Sequence, residues 1–361
     1  MIKDLKKIII KHNALPSLLT FFVTNKCNLS CKHCFYWKNL NQNKNELSLV
    51  EIDRFSKSLG SLMVLVLTGG EPFITEDFAD VTKILVKNLR PSKLIISSNG
   101  SLTEKIIEDS NEILKNLSKT HITFHFSVDD IGANHDAFRG MHGLFRKVTN
   151  TIAKMKKLKK VYNNFNIGVL LTVNPINQKR VLDIYKYIKD NIKPDVISPI
   201  LMRSKSGELN AEDVEIQYYE KLIEQIREDI DSHNLKGHHG FPLAKIARNT
   251  HYLKHRYISE TVKKNHFITP CFAGVLSGVI YEDGNVAPCE ILDYSFGNIR
   301  DFNYNFKKLW LGQKAKDITR KIKQTKCFCT YECAMDVNLA FNLKNLFMAG
   351  VMVGISPSRR S

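Results

Sequence analysis

The sequence predicts an α/β fold in which a parallel sheet with its helices is followed by a small, cysteine-rich extension. From residue 17 to 232, short apolar runs alternate with longer amphipathic stretches, which is typical of strand–helix units and a parallel sheet. The eight cysteines fall into two groups near opposite ends of the chain. From Cys271 onward the pattern changes to short strands and turns.

Six apolar runs are predicted as strands, and each is followed by a stretch with helical periodicity. The expected strands are residues 17–23, 63–67, 93–100, 121–129, 165–173 and 195–200. The expected helices are residues 49–59, 76–88, 103–116, 144–160, 178–191 and 210–232. Ser48, with Glu51 three residues later, has the pattern of a capping box at the start of the first of these helices. Six such units are too few for a closed barrel of eight strands.

The remaining segments are assigned from their composition. Residues 1–16 are expected to form an N-terminal amphipathic helix, residues 233–270 a helical connector rich in histidine, and residues 341–361 an apolar tail that packs on the protein. In the connector, His251 and His255 stand four residues apart on an expected helix, a spacing suited to a metal ion. A surface pair is the alternative that we favour, since the sequence shows no third ligand.

The first cysteine group is Cys27, Cys31 and Cys34, with spacing C-x3-C-x2-C directly after the first expected strand. A [4Fe–4S] cluster is usually held by four thiolates, so three thiolates on one loop leave one iron open to a ligand. The alternative is a zinc loop. Zinc prefers four ligands, and His33, inside the C-x2-C turn, is poorly placed to be a fourth beside Cys34.

A second motif, Gly69-Gly70-Glu71-Pro72, follows the second expected strand. Two glycines let a backbone approach a ligand closely and a proline fixes the turn, although the motif alone also fits an ordinary strand-to-helix turn. With both motifs present in this order, the chain resembles the radical SAM superfamily. The resemblance implies a partial (β/α)6 TIM-like barrel over residues 17–232, with its site at the C-terminal ends of the strands.

The resemblance also assigns roles to individual residues. Cys27, Cys31 and Cys34 would hold a [4Fe–4S] cluster that binds S-adenosylmethionine (SAM). The backbone of the second motif would meet the methionine amino group, and polar residues at two strand ends would contact the ribose. These cofactor-binding candidates are Gly69, Gly70, Glu71, Pro72, Ser98, Asn99 and Ser127. The alternative for the strand-end residues is ordinary turn chemistry.

The segment His135-Asp136-Ala137-Phe138-Arg139-Gly140 resembles a motif that follows the fourth strand in many members of the superfamily. Its arginine, Arg139, would pair with the methionine carboxylate, for which a planar guanidinium is well shaped. A surface salt bridge to Asp136 is the alternative.

The second cysteine group begins with Cys271, Gly284 and Cys289 in the spacing C-x12-G-x4-C, which resembles the start of a SPASM/twitch extension. A full SPASM domain has seven cysteines and two auxiliary clusters, whereas this region has five. The resemblance therefore implies one auxiliary [4Fe–4S] cluster within residues 271–340, with a zinc site as the alternative. The candidate ligands are Cys271, Cys289 and Cys333, with Cys329 preferred to Cys327 because of its C-x3-C spacing to Cys333.

Composition sets limits on the class of protein. Hydrophobic residues make up 43% and charged residues 25%, which is normal for a soluble globular chain. The formal net charge is +17, but we find no nucleic-acid-binding signature and do not expect nucleic acid as a partner. The sequence has neither a signal peptide nor an apolar run of about 20 residues, so we expect a cytoplasmic protein without a transmembrane segment.

By resemblance, the function is that of a radical SAM oxidoreductase or maturase. Such an enzyme cleaves SAM reductively to a 5′-deoxyadenosyl radical, which abstracts a hydrogen atom from a ribosomal peptide or from a sugar- or cyclitol-like small molecule. The expected partners are a reductant such as flavodoxin or ferredoxin and, since only 26 residues precede Cys27, a separate leader-binding protein. The alternative is a non-catalytic zinc- or iron–sulfur-binding protein that contacts nucleic acid through its basic surface. It leaves Gly-Gly-Glu-Pro unexplained.

Overall fold

The computed structural model describes residues 15–203, 209–235 and 244–351. Most of the expected N-terminal helix, the last ten residues of the expected tail, and His238 and His239 of the connector lie outside the described residues.

The six expected strands are confirmed as the parallel part of one sheet, with helices between them. The order across this part is β6-β5-β4-β3-β2-β1. This open, parallel arrangement confirms the expected partial barrel. The strands are β1 (Leu18–Thr24), β2 (Val64–Gly69), β3 (Lys93–Ser98), β4 (His121–Ser127), β5 (Phe165–Val173) and β6 (Val196–Leu201).

The helices of the barrel agree with the expected positions at most places. They are α1 (Leu49–Leu59), α2 (Phe78–Leu89), α3 (Thr103–Asn116), α4 (Ala133–Arg139), α5 (Leu144–Leu158), α6 (Val181–Tyr187) and α7 (Ile216–Asp231). The capping box of α1 is confirmed, because Ser48 and Glu51 each accept a hydrogen bond from the other's backbone N–H. The expected helix over residues 178–191 is divided into a 3₁₀ turn, α6 and a π-helical turn.

Strand β1 lies inside the nine-stranded sheet, between β2 and a strand of the extension, and all seven of its residues are buried. A strand that is covered on both faces reads as a continuous apolar run, which explains the run before Cys27. On one side β1 pairs with β2. On its other side it pairs in parallel with β7 (Ser277–Ile280), which belongs to the cysteine-rich extension.

The extension therefore continues the sheet of the barrel. After β7 the chain turns at Asp283-Gly284, and β8 (Asn285–Ala287) and β9 (Gly297–Asn298) follow in antiparallel pairing. This confirms the hairpin that Asp283-Gly284 predicts. The remaining helices are α8 (Ala244–Lys264), α9 (Phe306–Trp310), α10 (Gln313–Gln324), α11 (Glu332–Ala340) and α12 (Leu343–Val351).

One apolar core joins both parts of the chain. Phe21 of β1, Ile280 of β7 and Trp310 of α9 all belong to it. At the end of the described chain, α12 packs on α8, where the Tyr257 hydroxyl donates to Asn345 Oδ1 at 3.0 Å. Within the ranges described, no helix has the length and apolar character needed to cross a membrane.

Candidate active site

A cavity of about 330 Å³ lies at the C-terminal ends of the parallel strands. Residues from the ends of several strands, from the connector and from the extension line it, so the fold brings together segments that are far apart in the sequence. The predicted residues in its wall are Cys27, Cys31, Cys34, Gly69, Gly70, Ser98, Asn99, Ser127, Arg139 and Cys333. Glu71 and Pro72 are buried behind this wall.

The loop that carries the first three cysteines, residues 25–48, is called the cluster loop below. Side-chain amides hold it in place. The Asn25 Nδ2 group donates to the carbonyl oxygens of Asn39 and Gln42, both at 2.9 Å. The Asn41 side chain accepts from the Cys27 N–H at 2.9 Å. These asparagines fix the loop as a unit before any ligand is present. Sequence reasoning missed them, since asparagine is common throughout this chain.

Burial strongly affects the thiols of this loop. It raises the pKa of Cys27 to about 12 and that of Cys34 to about 11. When no metal centre is bound, these groups are therefore protonated thiols. A metal centre binds thiolates and releases the protons, which offsets the cost of ionising a buried thiol. Three neighbouring thiols on one loop fit the chemistry of a cluster that needs three protein ligands.

Gly69 and Gly70 are required because the cluster loop passes directly over them. A Cβ on Gly69 would lie 2.4 Å from the Thr24 carbonyl oxygen, and one on Gly70 would lie 2.1 Å from that of Lys26. Hydrogen bonds accompany this approach: the Gly70 N–H donates to Thr24 O, and the Glu71 N–H to Lys26 O, both at 2.8 Å. The glycine pair therefore fixes the position of the cysteine loop relative to β2.

The Glu71 carboxylate joins this motif to the end of β3. It accepts hydrogen bonds from the Ser98 hydroxyl at 2.8 Å and from the Asn99 N–H at 2.6 Å. Burial raises the pKa of Glu71 to about 7, although these hydrogen bonds oppose the shift. Glu71 thus acts on the cavity by positioning Ser98 and Asn99. The Asn99 amide in turn donates to Asn28 Oδ1 on the cluster loop at 3.0 Å.

Arg139 is buried beside the cluster loop and held by Asp129. Its Nε lies 2.8 Å and its Nη2 2.6 Å from Asp129 Oδ2, and its Nη1 lies 3.8 Å from Cys31 Sγ. Burial has the largest single effect and would raise the pKa of Asp129, but Arg139, His33, His135 and the hydrogen bond from the Thr172 N–H together lower it. The surface pair with Asp136 is wrong, because that carboxylate accepts from the N–H groups of Gly143 and Phe145.

The second cysteine group gathers around one small apolar cluster. Its buried members are Ala273, Cys289, Tyr331 and Ala334, and Cys271, Cys329 and Cys333 pack against them. These are the four thiols that spacing favours. Cys327 follows α10, and its N–H donates to the Ile322 carbonyl oxygen. Among the residues that the structure describes, no three His, Cys, Asp or Glu side chains already form a site for a single metal ion.

Arg203, just after β6, connects the two cysteine loops. Its guanidinium lies 5.1 Å from the ring centroid of Phe35 and 4.4 Å from that of Tyr331, and its Nη1 is 3.6 Å from Glu290. Phe35 follows Cys34, and Tyr331 stands between Cys329 and Cys333. Sequence reasoning missed this contact because a single arginine at a strand end carries no motif.

The two histidines of the connector also line the cavity. His255 Nε2 lies 3.2 Å from His251 Nε2, and the Tyr219 hydroxyl lies 2.6 Å from His255 Nδ1. His255 is only 2% exposed, so the expectation of a surface pair is wrong. Burial lowers the pKa of His255 well below its ordinary value, and the positive charge of Lys254 adds to this shift. The ring therefore stays neutral.

Comparison with known families agrees with this site. Residues 21–188 match the model of the radical SAM superfamily, and residues 271–334 match SPASM, an iron–sulfur cluster-binding domain. The chain belongs to the radical SAM superfamily. It is a radical SAM enzyme with a C-terminal SPASM-type domain, and these domains imply [4Fe–4S] clusters and SAM as its cofactors.

Two relatives illustrate the activities that are named among similar proteins. The chain is 23% identical to Fe-coproporphyrin III synthase of Methanosarcina barkeri over 304 residues, which cover 80% of this chain and 72% of that protein. It is 29% identical to the subtilosin biosynthesis protein AlbA of Bacillus subtilis over 182 residues, 49% of this chain and 37% of that protein.

Solved structures share the fold. The structure of anSMEcpe with bound AdoMet has a TM-score of 0.59 at 18% identity, and the match covers 93% of this chain and 99% of that one. SuiB of Streptococcus suis bound to S-adenosylmethionine has a TM-score of 0.60 at 16% identity, with 88% of this chain and 70% of that one covered.

Proposed function

We propose that this radical SAM enzyme is a maturase that modifies a ribosomally made peptide oxidatively. The cofactors supply a 5′-deoxyadenosyl radical that removes a hydrogen atom from the substrate. The observation that carries the proposal is the shared cavity. Cys27, Cys31 and Cys34 reach it from the barrel, and Cys333 reaches it from the extension. A substrate in this cavity is within reach of both sites.

In this proposal the residues around the first three cysteines bind SAM. The Gly69-Gly70 backbone, pinned to the cluster loop, meets the amino group. Arg139 binds the carboxylate, because Asp129 fixes its guanidinium with Nη1 beside Cys31. Ser98, Asn99 and Ser127 line the same cavity from the ends of β3 and β4 and contact the ribose. Glu71 orients the first two of these through its carboxylate.

The second group holds one auxiliary [4Fe–4S] cluster. Cys271, Cys289, Cys329 and Cys333 are its ligands, because these four thiols meet at one buried apolar cluster. An oxidative outcome removes two electrons from the substrate: one leaves with the hydrogen atom, and the other needs an acceptor close to the cavity. Cys333 lines the cavity, which supports the auxiliary cluster as that acceptor.

The peptide substrate is supported by relatives and neighbours. AlbA is named for bacteriocin biosynthesis, and a further relative, SkfB of Bacillus subtilis, is a sporulation killing factor maturation protein. SuiB is also solved with its precursor peptide SuiA. A tetrapyrrole is the second candidate, since Fe-coproporphyrin III synthase matches over 80% of this chain. The sugar or cyclitol substrate, the flavodoxin or ferredoxin reductant and the separate leader-binding protein stay predictions.

The first test is anaerobic reconstitution followed by addition of SAM and dithionite. We expect about eight irons per chain, the sum of two four-iron clusters, and release of 5′-deoxyadenosine. The triple variant Cys27→Ala, Cys31→Ala, Cys34→Ala should keep about half of the iron and release none. The variant Cys271→Ala, Cys289→Ala, Cys333→Ala should keep the other half and still cleave SAM. Iron that binds without any cleavage of SAM would contradict the proposed activity.

The second test separates the substrate classes. Iron tetrapyrroles other than iron coproporphyrin III, which the named relative makes, and synthetic peptides are each incubated with the holoenzyme, SAM and dithionite. A peptide that loses two hydrogen atoms by mass, with one 5′-deoxyadenosine released per event, supports peptide maturation. Turnover of an iron tetrapyrrole alone would replace the peptide by a tetrapyrrole.

A further inference from the structure

The segment from α9 to the end of α10 carries a concentrated positive charge. Residues 307–326 contain eight cations and one carboxylate, Asp317, so seven units of the chain's net charge of +17 fall within 20 residues. All eight cations are exposed. We call them the basic face: Lys307, Lys308, Lys314, Lys316, Arg320, Lys321, Lys323 and Lys326.

The cations of the basic face point to solvent because the opposite side of α10 is anchored in the protein. Ala315 and Ile322 of this helix are buried. Within the described ranges, Arg320 is the member of the face that pairs with a carboxylate, lying 2.9 Å from Asp317. The charge is therefore largely uncompensated by the chain itself, and it creates a positive potential that attracts acidic partners.

The basic face leads directly to the auxiliary site. Lys326 is followed by Cys327, Phe328 and Cys329, and the Phe328 ring is 40% exposed. A large aromatic side chain at the surface between two cysteines, beside a cluster of cations, has the composition of a docking surface. A solvated helix face alone does not account for the exposed ring.

Helix α5 provides an internal comparison. It is also rich in lysine, but Lys154 pairs with Glu104 and Lys156 donates to the Ile192 carbonyl oxygen. Lys159, directly after the helix, pairs with Asp195. The charge of this segment is thus partly neutralised within the barrel. Residues 144–158 also lie outside both cysteine groups.

We propose that the basic face and Phe328 dock an acidic one-electron carrier protein, which exchanges electrons with the auxiliary site. The inference rests on the proposed auxiliary cluster. In the exchange the reduced site loses one electron and the oxidised carrier gains it, with no proton transferred. An acidic peptide would match the charge too. The carrier is favoured because the face ends at the cysteines, where a short distance to the metal centre matters for electron transfer and not for peptide binding.

The experiment follows electron transfer from the reduced holoenzyme to an oxidised, acidic [2Fe–2S] ferredoxin by stopped-flow absorbance at several salt concentrations. The test variant replaces Lys307, Lys314, Lys316 and Lys323 by Gln. The matched control replaces Arg146, Lys147, Lys157 and Lys160 of the α5 region by Gln, which removes the same charge. At low salt we expect a rate at least tenfold slower in the test variant and within twofold of wild type in the control.

Phe328→Ala provides a second variant that leaves the charge unchanged. It should weaken carrier binding at least threefold while the dependence on salt stays that of wild type, because added salt screens only the charges. If the test variant and the control variant slow electron transfer equally, only the net charge of the protein matters, and the proposal is overturned. An unchanged rate in the test variant would also overturn it, as would the finding that a glutamate-rich peptide binds the face without competing with the carrier.

Iron content and 5′-deoxyadenosine release are measured on the same samples. If wild type lacks the auxiliary iron, the proposed function fails before the docking surface is tested. If wild type holds about eight irons and the test variant keeps them, a loss of rate belongs to docking alone.

Discussion

Gly70 shows how a single missing side chain fixes the site. Because the Lys26 carbonyl oxygen would be 2.1 Å from a Cβ at this position, Gly70→Ala must displace the cluster loop from β2. We expect the iron bound by the first site to fall by more than half and SAM affinity to fall at least tenfold. Iron analysis and equilibrium dialysis with SAM measure both.

Gly132→Ala is the control for this prediction. Gly132 has a φ of +57°, but nothing lies within 4 Å of its Cβ position. This substitution therefore has only the backbone cost, about 1–3 kcal/mol for φ +57° with ψ −133°, and should leave iron and SAM binding intact. Wild-type iron content in Gly70→Ala would show that the loop does not depend on this approach.

Residues with a recognisable motif could be predicted from the sequence. The three cysteines of the first loop and the glycine pair reach the cavity as expected. Asn25 and Arg203 could not be predicted, because their importance depends on neighbours that only the fold supplies. Arg203, for example, meets Phe35 and Tyr331, which lie 168 and 128 positions away along the chain.

At the scale of elements, Glu51 links the start of α1 to the extension. Arg300 donates to both Glu51 carboxylate oxygens, at 2.6 and 3.1 Å, and the Tyr304 hydroxyl donates at 2.9 Å. Mainly through Arg300, the pKa of Glu51 is lowered to about 2 from 4.5. A lowered carboxyl pKa stabilises the folded state above pH 4.5, and that contribution is lost as the pH falls towards 2.

Glu51→Gln should therefore lower the free energy of unfolding at pH 7 by about 1 kcal/mol, since the pair is partly exposed. The difference from wild type should close as the pH falls below 4.5 towards 2. Glutamine still fits a capping box, so the change isolates the charge. Urea unfolding at several pH values measures this difference in stability. The control is Glu112→Gln, which removes the charge of an exposed ion pair with Lys83. If the difference in unfolding free energy between wild type and Glu51→Gln does not change with pH, the lowered pKa of Glu51 does not contribute to stability.

The Arg203 contact joins β6 to the loops of both cysteine groups. Arg203→Met should destabilise the protein by about 3 kcal/mol, because it leaves the buried Glu290 without its cation. Retention of auxiliary iron should fall as well. The double variant Arg203→Met, Glu290→Gln should recover part of both losses, which urea unfolding and iron analysis check. Additive losses would show that the two residues act independently.

The sequence predicted the strands better than their pairing. All six barrel strands and the hairpin of the extension lie where apolar runs and Asp283-Gly284 place them. The parallel pairing of β1 with β7 left no local signal, because it joins segments more than 250 residues apart. The helix expected at 178–191 is α-helical only in its middle, with a 3₁₀ turn before it and a π turn after it. Periodicity does not distinguish α, 3₁₀ and π turns.

At the scale of the whole molecule, the continuous sheet makes the barrel and the extension one cooperative unit. The two tryptophans report on each part: Trp37 on the cluster loop is 46% exposed, and Trp310 of α9 is buried. In a Trp37→Phe variant, urea unfolding followed by Trp310 emission should coincide with unfolding followed by circular dichroism. A lower urea midpoint for the Trp310 emission than for the circular dichroism would show that the extension unfolds separately.

The position of β1 between β2 and β7 has a consequence for synthesis on the ribosome. About 256 residues separate the end of β1 from the end of β7. At about 5–20 residues per second, β1 waits roughly 10 to 50 seconds for its second neighbour. During that time one edge of an apolar strand is open to pairing with other chains, which is the condition that chaperones relieve.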